Sequence, residues 1–96
     1  MKKGEYIMVR TNSAGVFAGY LESKKGKEVT LTNARRIWYW AGANSLSELA
    51  QTGTRKPNEC KFPVAVDFVL LTEAIEILKI TSKAKKSISE VPVWQT

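Results

Sequence analysis

Residues 64–80 read VAVDFVLLTEAIEILKI, and two conformations compete for them. TEAIEILK has helix formers at amphipathic spacing, whereas Val64, Val66, Val69, Ile75, Ile77 and Ile80 are β-branched and pack well on a pleated surface. The β-branched content predicts two strands, near 66–71 and 74–80. They complete an α+β domain, an antiparallel β-sheet of about five to six strands with two short helices. The 96 residues suffice for one small domain, spanning 1–96, with a single modest core.

Toward the N-terminus, Glu5 to Thr11 alternates, with Ile7 and Val9 on one face and Tyr6, Met8 and Arg10 on the other. Asn12, Ser13 and Gly15 are turn formers, and Val16 to Ser23 reads as a second strand in which Gly19 marks a bulge or a close backbone approach. Lys24-Lys25-Gly26-Lys27 is a hairpin turn by composition. Glu28 to Thr32 follows with Val29 and Leu31 inward, so the first three strands form a meander. Next comes NARRIWYW, residues 33–40, where either the strand continues with both faces covered or NARR resets the register. Asn33 is a poor strand residue and favours the break.

Ser45-Leu46-Ser47-Glu48 is a capping-box pattern opening a helix over 46–51 that Gly53 stops, with Leu46, Leu49 and Ala50 as its apolar stripe. Thr52 to Pro63 is loop by composition. Thr81 is a candidate N-cap for a helix through Ser89 that turns Ala84 and Ile88 to the body, and past it Val91, Val93 and Trp94 fold back as an apolar clasp.

The chain carries 15 Lys and Arg against 9 Asp and Glu, a formal charge of +6, which favours an anionic partner, although many small domains are basic merely for solubility. It has no histidine and one cysteine, Cys60, so the usual zinc sites, Cys-His dyads and Ser-His-Asp triads cannot be assembled. The composition points to a protein that is not an enzyme and uses no metal or cofactor. No segment approaches the roughly 20 apolar residues of a membrane span, which predicts a soluble intracellular protein.

Binding chemistry concentrates in two places. Arg35 and Arg36 offer planar forks for phosphate oxygens, Trp38 and Trp40 offer flat faces for a base, and Asn33 and Asn44 offer amides for sugar or base edges. Lys83 and Lys86, three residues apart on the C-terminal helix, are placed to close the far side. The same aromatics would serve equally as core or subunit interface, and the lysines as a solvated face. Three Trp, three Tyr and three Phe in so small a chain also favour self-association.

The segments VRTNSAG, GYLES, GKEV and above all NARRIWYW followed by GANSLSELA resemble a family of small phage proteins, over nearly the whole chain. The resemblance extends to the first described Thoeris anti-defence proteins, nucleotide sponges that sequester cyclic ADP-ribose isomers made by bacterial TIR enzymes; members of that family also capture cyclic oligonucleotides of the CBASS pathway. The resemblance implies a homo-oligomer acting in the cytoplasm of the infected host bacterium, binding its small nucleotide second messenger intact. Read without it, the same residues suit a single-stranded nucleic-acid-binding accessory protein or a structural interaction module.

Overall fold

The computed structural model describes residues 1–95. Five strands, β1 (Tyr6–Thr11), β2 (Val16–Lys25), β3 (Glu28–Arg36), β4 (Val66–Leu71) and β5 (Ala74–Lys79), form one antiparallel sheet in the order β4-β3-β2-β1-β5. Two helices, α1 (Leu46–Thr52) and α2 (Ser82–Ser89), complete the α+β fold. Residues 64–80 thus resolve into the two expected strands. No helix among the described residues is long and apolar enough to cross a membrane.

β4 and β5 lie at opposite edges of the sheet, yet only Thr72 and Glu73 join them, so the sheet must curl to bring the end of β4 beside the start of β5, while no ladder pairs the two strands. Ala74 closes the curl: it pairs with Thr11 at the end of β1 and donates its N–H to Lys27 O in the β2–β3 turn at 3.0 Å. One face therefore becomes an interior. Ile7, Val9, Phe17, Leu21, Val29 and Leu31 fill it, from the inward positions that alternation assigns.

The opposite face carries Met8, Ala18 and Ile37, and both helices pack there with Leu49, Ala50, Phe62 and Ile88. Ser45 accepts the Glu48 N–H to start α1, Gly53 ends it at φ 79°, and Thr81 caps α2 by accepting from Ala84. Val93 pairs with Phe62 and the Trp94 N–H donates to Phe62 O, which makes the anticipated C-terminal clasp. The 52–63 connection contains a 3-10 turn at Pro57–Glu59.

β3 both continues and resets its register. Ala18 pairs with Arg35 and Tyr20 with Thr32, so three residues of β3 span two of β2, and Asn33 takes φ 47° as the extra residue of a bulge. Asparagine tolerates that left-handed backbone better than most side chains. Gly19 is the other half of the device, because a Cβ there would lie 2.9 Å from Ala34 Cβ and 3.0 Å from Ala34 Cα. Gly19→Ala is expected to cost about 1–3 kcal/mol, as overpacking against backbone does, which urea or thermal denaturation will read.

Candidate functional site

On a strand, consecutive side chains leave opposite faces. Arg35 and Arg36 obey that rule, and so they do not converge on one phosphate. Arg35 passes under the C-terminal end of α2, only 8% exposed, and donates to Phe62 O at 2.8 Å, Val91 O at 2.9 Å and Ile88 O at 3.1 Å. Longer bonds of 3.4 Å reach Pro63 O and Pro92 O. All five of its donors are committed to carbonyls, which revises the expected paired phosphate fork: Arg35 knots β3, α2 and the C-terminal clasp together.

Arg36 emerges on the other side, exposed. Its guanidinium lies 4.4 Å from the Phe17 ring centroid and donates to Ala14 O in the β1–β2 turn, leaving further N–H groups free. Among the described residues no carboxylate forms an ion pair with either arginine. Where β3 ends, Ile37 turns into the core and Trp38 outward, 64% exposed. Trp40 is half-buried, its indole N–H donating to Ala43 O at 3.3 Å.

Arg36, Trp38 and Trp40 line one open cleft of about 390 Å³ with residues 13–16 of the turn. The turn is firmly built. Thr11 Oγ1 donates to Gly15 O and accepts the Ala14 N–H, both at 2.8 Å, and Gly15 takes φ 85°. The amides of Asn12 and Ala14 are already spent on Glu73 O and Thr11, so the cationic recognition in this cleft comes from Arg36.

The remaining expected residues lie elsewhere. Asn33 and Arg35 border a different cleft. Asn44 precedes α1, where its backbone N–H donates to Glu48 Oε1 at 2.9 Å; this bond and then Arg55 hold the Glu48 carboxyl below its usual range. Lys83 and Lys86 are exposed on α2 and line neither cleft.

The lysine of α2 that does face a cleft is Lys85, whose ammonium lies 5.7 Å from the Tyr6 ring centroid and 4.8 Å from that of Tyr20. The sequence reading missed this trio, although Tyr6 and Tyr20 sit directly opposite each other in register on the face carrying Met8 and Ala18. Two tyrosines that alternation puts on the same face as Met8 and Ala18 were the available signal.

Burial pushes the Tyr6 phenol up to about 12, with Tyr20 adding to the rise and Arg35 opposing it. The fold thus holds the Tyr6 proton while the unfolded chain releases it near pH 10. Stability is therefore expected to fall as pH rises from 10 to about 12. Phenolate absorbance, followed alongside urea unfolding across that range, checks it.

No curated protein and no solved structure matches the chain. A family model described as "Domain of unknown function (DUF6948)" matches residues 4–88, nearly the whole chain, and the protein belongs to that family.

Proposed function

We propose that this protein binds and sequesters a cyclic nucleotide immune signal, a cyclic ADP-ribose isomer or a cyclic oligonucleotide, without degrading it, in the cytoplasm of an infected bacterium. The observation that carries the reading is an unpaired, exposed guanidinium beside an exposed indole: Arg36 and Trp38 in one cleft with Trp40. A pyrophosphate or phosphodiester takes the Arg36 fork, an adenine ring stacks on Trp38, and Trp40 walls the cleft from behind.

An exposed apolar strand supports the homo-oligomer that belongs to this reading. β4 is an edge strand, and Val66, Phe68 and Leu70 on it are exposed, Phe68 by 62%. An uncovered apolar edge of this kind is a ready surface for a second copy. The assembled protein would bring several basic clefts to one soluble trap, and its mass in solution measures the subunit count.

The test is to incubate the purified protein with cyclic ADP-ribose isomers and cyclic di- and trinucleotides, remove unbound ligand, then heat the complex and analyse what is released. Intact signal is the expected product. A converted product would make the protein an enzyme, and binding of single-stranded oligonucleotides with a steep salt dependence would favour a nucleic-acid protein instead.

A further inference from the structure

The second cleft shares no lining residue with the first. It is about 350 Å³, at the low end of the range for small-molecule sites, and opens between β1, β2, α2 and the C-terminal clasp. Three features set its chemistry. Lys85 forms no ion pair among the described residues, its ammonium resting instead on the faces of Tyr6 and Tyr20. Behind it lies the buried Arg35 charge, satisfied by carbonyls but not neutralised, so the cleft wall carries two positive charges and no carboxylate. Val64 and Val93, exposed beside buried Val91, add an apolar wall open to solvent.

We propose that this cleft is a separate binding site for a small amphiphilic anion. Lys85 and the hydroxyls of Tyr6 and Tyr20 hold a single carboxylate or phosphoryl head, and Val64, Val91 and Val93 cover a compact apolar body. Arg35 has no free donor, so it acts by its field alone. Asn33, the extra residue of the bulge, also lines the cleft and adds an amide. The proposal goes beyond the sequestration reading and does not depend on it.

The test is calorimetry on the whole protein, with amide resonances followed in parallel, using three probes: phenyl phosphate, 4-phenylbutyrate and neutral 4-phenylbutanol. At least one anion is expected to bind tenfold or more tightly than the alcohol, with the largest shifts at Tyr6, Tyr20 and Lys85. The stronger anion identifies the head group. Lys85→Met and Lys85→Gln are each expected to weaken it at least tenfold, Lys85→Arg to retain it, and Trp38→Ala to leave it unchanged. Failure of both anions to bind, equal binding of the alcohol, wild-type affinity in Lys85→Met and Lys85→Gln, or loss of binding in Trp38→Ala overturns the assignment.

Discussion

Arg35→Ala is expected to lower the melting temperature by about 8 °C or more, while Arg36→Ala, one residue on, lowers it by no more than about half as much. Removing the Arg35 guanidinium strands the carbonyl of Val91 and takes a donor from those of Phe62 and Ile88, which keep only the backbone N–H groups of the residues after α2. The stranded carbonyl costs about 1–3 kcal/mol and each of the two lost bonds about 0.5–1.5 kcal/mol, roughly 2–6 kcal/mol together. In a domain of this size each kcal/mol moves the midpoint by about 4–8 °C. The loss also unfastens three elements at once, because those carbonyls belong to α2, the segment after it and the strip before β4. Lysine is expected to rescue only part of the loss, since its single ammonium cannot span carbonyls that the planar fork reaches together. Arg36 has its one described hydrogen bond in an exposed turn and stacks on Phe17, an arrangement worth about 0.5–1 kcal/mol. Thermal unfolding of both variants checks the contrast.

The second large effect concerns binding. Arg36→Ala with Trp38→Ala is expected to weaken capture of a cyclic nucleotide by at least about 100-fold while the fold survives. A base stacked on an aromatic ring contributes about 1–3 kcal/mol and a charge-assisted hydrogen bond about 1.5–3 kcal/mol. Their sum corresponds to a factor between roughly 10² and 10⁴ in affinity. Trp38 is exposed and Arg36 unpaired, so neither substitution opens a hole in the core. Calorimetric titration of the wild type and the double variant with the same ligand measures the ratio.

Much of this architecture was legible from residue order. Alternation placed Ile7, Val9, Val29 and Leu31 inside, β-branched content separated strands from helix in 64–80, Ser45 and Thr81 marked helix starts through hydroxyls that accept a backbone N–H, and Gly53 marked a helix end through its positive φ. Asn33 and Gly19 both pointed to an irregularity, and it is one irregularity: a bulge on β3 packed against the missing side chain on β2. The candidate site was less legible. Two adjacent arginines look equivalent in a sequence, and only the face each takes after the bulge separates a buried knot from an open charge. Helical spacing groups Lys83 with Lys86 and turns Ala84 and Ile88 to the body, but it does not say which flank of α2 borders a cleft, and that flank carries Lys85. The Tyr6–Tyr20 contact at 5.0 Å depends on strand register, which no local pattern carries.

The most direct test of the sequestration reading is a titration of the wild-type protein with a cyclic ADP-ribose isomer and a cyclic trinucleotide, followed through the indole and guanidinium N–H resonances. Saturable shifts centred on the Trp38 indole and the Arg36 side chain are expected, with ligand recovered unchanged. Signals that stay fixed at Trp38 and Arg36 while ligand binds elsewhere, or no binding of either nucleotide, would contradict it.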